Sequence, residues 1–271
     1  MYGSKIYKCS ISCNQKGANL IVIREERLSR ILEILTKNKF ASVEDLSKTL
    51  YVSEPTIRRD LAELTRRKAI IRSHGGAMPI PENNTVIPID FRNGIDPKGK
   101  LLLAREAAKM VKDGDVIYID ASTTTLRIVD FVRERKNIIV ITNSMQVAHL
   151  LRKYNITGYC TGGMLIENSL AFAGSYAEAT VSNFNIDIMF FSTSAVTHTG
   201  YIADYSEMET NLRRVAMKNA CKKVYLCDKE KFEKSSVFHV AHLNDMDCII
   251  TNDNLPKYPC NITANVIIVK E

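Results

Sequence analysis

Apolar residues return at helical spacing in the first third of the chain and in short unbroken runs through the rest. Leu28, Ile31, Leu32 and Leu35 fall at i, i+3, i+4 and i+7, which predicts a helix from about Arg24 to Lys37. Ser42 followed by Asp45 predicts the start of a second helix, with Val43, Leu46 and Leu50 inward. Ser53 is placed to cap a third. Pro55 lies in its first turn, where a missing N–H costs nothing, and Ile57, Leu61 and Leu64 supply the buried face. A short apolar strand, Ala69 to Ile71, then runs through Arg72, Ser73 and His74 into the turn Gly75-Gly76. Two short helices with a brief break, followed by a hairpin, predict a winged helix-turn-helix.

Met78-Pro79-Ile80-Pro81-Glu82-Asn83-Asn84 breaks both periods, because the prolines remove donors and the paired asparagines favour turns. Beyond it, all-apolar strands alternate with helical patterns. Strands are expected at Asp115–Asp120, Ile138–Thr142, Ile156–Cys160, Ile186–Phe191, Lys223–Cys227 and Cys248–Thr251. Helices are expected around Lys98–Lys112, Thr124–Arg133, Ser144–Lys153 and Ser206–Cys221. Strands apolar on both faces imply a mainly parallel sheet covered on both sides. The expected organisation is an extension over residues 1–23, expected to be disordered, a winged helix-turn-helix over 24–78, a linker over 79–96 and an α/β sensor domain over 97–271.

Charge sharpens this division. The chain of 271 residues carries a net charge of +7, and residues 1–80 hold 15 Lys and Arg against 8 Asp and Glu; the remainder is balanced. The excess sits on the module expected to meet a phosphate backbone. Seven cysteines occur with no C-x-x-C and no paired histidines nearby, so neither a zinc site nor a complete disulfide framework is expected. No run of 18 apolar residues exists, and residues 1–20 make a poor signal peptide, so no membrane partner and a cytoplasmic protein with reduced thiols are expected.

With Ile57, Leu61 and Leu64 inward, Ser53, Glu54, Thr56, Arg58 and Arg59 face outward near the start of the third helix. That end enters the major groove of double-stranded DNA in this motif. Arg72 and His74 on the hairpin are placed to reach backbone or minor groove, and Arg66, Arg67 and Lys68 to touch phosphate. In the α/β part, ligands collect beyond the carboxyl ends of the strands. Asp120-Ala121-Ser122-Thr123-Thr124-Thr125 offers hydroxyls and backbone N–H groups suited to a phosphate, while Asp120 itself calls for a sugar hydroxyl or a lysine. Thr142-Asn143-Ser144 and Thr161-Gly162-Gly163 end the next two strands, although hydroxyl-rich caps and Gly-Gly turns also arise without a ligand. Asp228 and Lys231 follow a later strand, and Lys231 suits an anionic oxygen. Glu209 and Arg213, four apart, are either a surface pair or site residues. Neither G-x-x-x-x-G-K-[ST] nor G-x-G-x-x-G is present, so no nucleotide cofactor is expected.

The strings Val52-Ser53-Glu54-Pro55-Thr56-Ile57-Arg58-Arg59-Asp60-Leu61 and Arg72-Ser73-His74-Gly75-Gly76-Ala77 closely resemble the N-terminal signature of the DeoR family of bacterial transcription regulators. The resemblance runs from about Arg24 to Thr251. It covers Asp120–Thr124, Thr142–Ser144, Gly162-Gly163 and Asp228–Phe232, and a family lysine falls on Lys100. It implies a sensor domain like the sugar-phosphate isomerases in fold, a phosphorylated sugar effector, and operator binding as a homodimer or homotetramer. The expected function is therefore a transcriptional regulator of carbohydrate-metabolism genes, a repressor and not an enzyme. The alternative is an isomerase-like enzyme, with Glu209 or Asp228 as base, carrying an appended DNA-binding module. Family members begin close to the residue matching Arg24, so residues 1–20 read as an extension. Ser122 stands where the family has Gly, and Ser192 and Asn252 also depart from its pattern. A Cβ at position 122 is expected to restrict φ and narrow the loop.

Overall fold

The computed structural model describes residues 24–38, 40–67, 69–73, 75–79, 89–93, 95–259 and 261–270. The extension expected over 1–23, Lys68 and His74 therefore lie outside the described residues, as does much of the expected linker.

The N-terminal part is α1 (Arg24–Asn38), the two-residue strand β1 (Ala41–Ser42), α2 (Val43–Leu50), α3 (Glu54–Arg66), β2 (Ile70–Ser73) and β3 (Gly76–Pro79). The apolar stripes read in the sequence meet in one core. Leu28, Ile31, Leu35, Leu46, Ile57, Leu61 and Leu64 are all fully buried. Ser42 caps α2, its Oγ accepting the Asp45 amide at 3.0 Å. Ser53 occupies the α3 cap position, but its hydroxyl lies 3.0 Å from the Thr56 hydroxyl and takes no backbone amide. β2 and β3 form the antiparallel wing, and β1 joins its far side in the order β1-β3-β2. Gly76 is required here, because a Cβ would stand 2.4 Å from the Ala41 carbonyl oxygen. Pro79 closes β3 and so belongs to the wing, one residue past the expected domain end.

The second part opens with a short helix, α4 (Ile89–Arg92), inside the stretch expected as linker. Ile89 is buried and its amide donates to the Asn168 carbonyl at 2.8 Å, so this segment packs with the sensor domain. Then follow α5 (Pro97–Ala108), β4 (Val116–Ile119), a 3₁₀ turn Thr125–Arg127, α6 (Ile128–Val132), β5 (Ile139–Thr142), α7 (Met145–Tyr154) and β6 (Thr157–Cys160). A hairpin of β7 (Met164–Ile166) and β8 (Ala171–Ala173) leads to α8 (Ser175–Val181) and β9 (Ile186–Phe191). The chain continues through β10 (Ala195–Val196), β11 (Tyr201–Asp204), α9 (Glu207–Lys218), β12 (Ala220–Cys227), β13 (Phe238–His242), β14 (Cys248–Thr251) and β15 (Asn265–Ile268).

Seven strands form one sheet in the order β15-β14-β12-β9-β4-β5-β6, every pair parallel. Alternation along each strand feeds two cores. From β4, Ile117 and Ile119 join one with Leu103, Val129 and Val147; Tyr118 joins the other with Phe191, Leu212 and Tyr225. This is the doubly covered parallel sheet the sequence predicts. The strand expected at Ile156–Cys160 forms as β6, which lies at the sheet edge with all four residues exposed. No helix among the described residues is long and apolar enough to cross a membrane.

Candidate DNA interface and anion site

On α3, Ile57, Leu61 and Leu64 anchor the inner face, which leaves Glu54, Arg58 and Arg59 exposed on the outer one. Arg58 reaches back to Glu54 at 3.1 Å, a weak exposed pair that is readily exchanged for another acceptor. Among the described residues Arg59 makes no ion pair, and Arg72 stands exposed on the wing strand β2. Asp60, next to Arg59, has the opposite fate: it is buried and takes Arg27 through two hydrogen bonds of 2.5 and 3.2 Å, fixing α1 against α3. Farther along, Arg66 donates to Glu63 at 2.6 Å in an exposed pair like that of Arg58, and Arg67 donates to Glu63 and Glu25. Hydrogen bonds from Arg66 and Arg67 hold the Glu63 carboxyl down at about 2.

At the carboxyl ends of the sheet strands a second constellation is buried. Asp120, after β4, accepts Arg213 Nε at 3.1 Å and the Thr125 hydroxyl at 2.8 Å, while the Ser192 amide lies 3.4 Å away. Arg213 also holds Asp204 at 2.7 Å. The partner of Asp120 is thus an arginine, in place of the sugar hydroxyl or lysine expected. Glu209 and Arg213 are not a surface pair either: both are buried, and Glu209 accepts the Ser169 hydroxyl. Burial pushes the Glu209 carboxyl up, with Arg213 pulling the other way.

Ser122 fits where the resemblance has Gly. It does not adopt a positive φ, and its Oγ accepts the Thr125 amide at 3.1 Å and meets the Thr125 hydroxyl at 2.7 Å. The expected restriction at 122 is therefore absorbed as a cap on the 3₁₀ turn. Thr123 and Thr124 are buried beside it, and the Thr124 hydroxyl has no partner. Asn143 is engaged on both ends of its amide, by the Tyr118 hydroxyl at 3.1 Å and the Phe172 carbonyl at 3.2 Å. Of the two glycines, Gly163 is needed for packing, since φ is +101° and a Cβ would lie 2.6 Å from the Ala173 carbonyl oxygen. Gly162, with φ +64°, faces open space. Asn252 accepts the Lys229 amide at 2.9 Å and donates to Asp96, tying β14 to the start of α5.

Lys100 is buried on α5. Its Nζ donates to the Arg92 carbonyl at 2.5 Å. Burial and then the nearby Lys231 push its ammonium down to about 7, with Asp228 opposing and Arg92 and Arg127 reinforcing. Lys231 bridges the Ser192 hydroxyl at 2.5 Å and Asp228 at 3.3 Å. Burial raises the Asp228 carboxyl, but Lys231 and Lys100 outweigh it and leave the group below its ordinary value. Arg92 and Arg127 each bury an Nε with no partner. Lys231 and Lys100 act on Asp228, Arg92 and Arg127 act on Lys100, and Arg92 also lies in the field of Glu209, Asp204 and Asp120. Buried donors are ordinarily satisfied, and an acceptor-rich anion is one group that can satisfy unpaired ones beside buried cations. Arg92 and Arg127 are additions that sequence reading missed, since neither follows a strand.

Two family models match the chain: the DeoR-like helix-turn-helix domain over residues 27–82 and the DeoR C-terminal sensor domain over residues 96–253. An uncharacterised HTH-type transcriptional regulator of Bacillus subtilis, YulB, is 34% identical over 88% of this chain and 92% of its own. The HTH-type transcriptional regulator GlpR of Haloferax volcanii is 32% identical over 85% of this chain and 90% of its own. A putative aga operon transcriptional repressor of Escherichia coli O157:H7 is 28% identical, covering 89% and 90%. Among solved structures, ribose 5-phosphate isomerase A of Methanocaldococcus jannaschii is 22% identical over 50% of this chain and 54% of that one, with a TM-score of 0.38.

Proposed function

The chain belongs to the DeoR family of transcriptional regulators, and we propose that it is a repressor of carbohydrate-metabolism genes whose hold on its operator is released by a phosphorylated sugar. The relatives are named as regulators and repressors, so the isomerase alternative falls away. Its candidate bases are also committed elsewhere, Glu209 to Ser169 and Asp228 to Lys231.

One observation carries the effector reading: Lys100 is buried within the field of Lys231, Arg92 and Arg127, and the Nε groups of both arginines have no partner. A phosphate dianion answers both deficits together, because it neutralises charge and its oxygens accept from several donors. Asp120, locked by Arg213 and Thr125, is the fixed wall of the site, and Gly162 is the open side along which the rest of a sugar extends. At the other end of the molecule, Arg58 and Arg59 pair with base edges, Ser53, Glu54 and Thr56 sit at the same helix start, and Arg72 follows the backbone. Release follows only to the degree that the effector binds the DNA-free form more tightly.

Thermal-shift measurements on the full chain against matched sugars with and without a phosphate test this reading. A compound that binds only the folded state at 100 times its Kd stabilises it by about 2.7 kcal/mol. Stabilisation by a phosphorylated sugar, absent for its dephosphorylated parent and lost in Lys100→Gln, is the expected result. Equal response to both forms refutes it.

A further inference from the structure

A strand at the edge of a sheet exposes unpaired backbone donors and acceptors, and folded proteins ordinarily guard such edges with lysine, proline, a bulge or a covering element. β6 has none of these on it. From Asn155 to Ile166 there is no charged residue and no proline, and every residue of β6 is exposed. At the opposite edge, β15 keeps Val266 and Ile267 half-buried.

The exposed edge continues into an apolar surface. Tyr159 is 49% exposed and Met164 57%, with Leu165 beside it at 47% and Tyr176 at 81%. These residues adjoin through their neighbours. The Tyr159 ring packs 5.1 Å from that of Phe184, just after α8. Gly163, preceding Met164, lies so close to Ala177 on α8 that a Cβ would stand 3.2 Å from it, and Tyr176 is the next residue. Along the chain, exposed apolar residues thus follow from the strand edge through the start of β7 to the first turn of α8. Exposed aromatic and methionine side chains in one patch are the composition of an interface core, not of a solvated surface.

We propose that this face is where a second copy of the chain docks, β6 pairing antiparallel with β6 of its partner across a twofold axis. The chemistry favours self-association over a foreign partner. A twofold interface sets each patch against itself, so any charge near the axis meets its like; the run 155–166, which holds β6 and the start of β7, has no charge to be set against itself. A stable interface needs about 800 Å² from each partner. A four-residue strand falls well short of that, so the β7 and Tyr176 surfaces must take part. The position has a purpose under the operator reading above, on which that purpose alone rests. Thr161, Gly162 and Gly163 follow β6 directly, so an effector gripping that turn pulls on the strand that joins the two subunits.

Sedimentation velocity of the full chain without DNA, for the natural protein and for Tyr159→Lys and Met164→Lys, tests the proposal. The natural protein should sediment as a dimer or larger species at micromolar concentration. Each lysine should weaken association at least tenfold with an unchanged far-UV spectrum. Backbone amides of 157–160 should also exchange more slowly in concentrated than in dilute natural protein. Should Tyr159→Lys fail to fold, Met164→Lys decides, since its side chain is already mostly in solvent. A monomeric natural protein, or two lysine variants that associate normally, overturns the proposal. Neither result bears on effector binding or on Arg58, which are read by other assays.

Discussion

Replacing Lys100 by methionine should make the protein more stable and unable to respond to an anion. The ammonium is buried among other cations and titrates at about 7, against an ordinary value of 10.5. Each unit of that depression corresponds to about 1.4 kcal/mol. The sign follows from proton counts: between pH 7 and 10.5 the unfolded chain holds the Lys100 proton more often than the folded one, so stability rises with pH in that window. Below pH 7 both states carry the proton, and the full penalty applies, about 5 kcal/mol near pH 6; near pH 9 it has fallen to about 2 kcal/mol. These are ceilings, because a buried charge draws in water and reorients its neighbours. Lys100→Met is neutral at every pH and escapes the penalty. Urea denaturation of both proteins at pH 6, 7.5 and 9 should therefore show the variant ahead, by a margin that narrows as pH rises. A margin independent of pH would refute the view that Lys100 is a destabilised cation. A second readout follows: a bound dianion restores the ammonium, so binding near pH 7 should take up protons, visible as a buffer-dependent heat in calorimetry, and affinity should weaken above that pH.

Arg58→Ala should cut operator affinity by about 5- to 150-fold in a gel shift, in line with about 1–3 kcal/mol for a base contact; undiminished retention would remove α3 from the base-reading role. Arg213→Met leaves Asp120 and Asp204 buried without their shared cation, and a loss of about 3–5 kcal/mol in urea is expected. Gly163→Ala meets a backbone oxygen at 2.6 Å as well as a positive φ, whereas Gly162→Ala meets open space. The first should cost at least about 2 kcal/mol more than the second by the same measurement, and equal costs would show that the β8 contact is not what demands glycine.

The winged helix was legible in the chain because each of its signals is local. Ser42, Pro55 and the stripe of Ile57, Leu61 and Leu64 act within a few residues of themselves, and the core they predict is the one that forms. The parallel sheet was legible for a related reason, since strands buried on both faces need apolar residues at every position. The charge network was not. Four residues between Glu209 and Arg213 describe an exposed helix as well as a buried one, and only packing of α9 against the sheet brings Arg213 to Asp120, 93 positions earlier. Arg92 was hidden for the same reason, lying in a stretch that prolines and asparagines mark as linker. The edge position of β6 was not legible either: the run Ile156–Cys160 marks a strand, but which strands flank it is set by the order in which the units assemble.

The hydrogen bond from Lys100 to the Arg92 carbonyl ties one side chain to both the segment before α5 and the anion it is proposed to bind. Arg92 ends the helix that follows the stretch leading from the wing, and its backbone oxygen holds the same ammonium that an anion would claim. An effector that turns this ammonium towards itself loosens the anchor of that segment. Linkage requires the converse to the same factor. Whatever arrangement of the winged helices on an operator draws that anchor tight must also weaken the pocket. On this account DNA acts as an antagonist of the effector, and measuring effector affinity with and without operator would yield the coupling between the two ends of the chain directly.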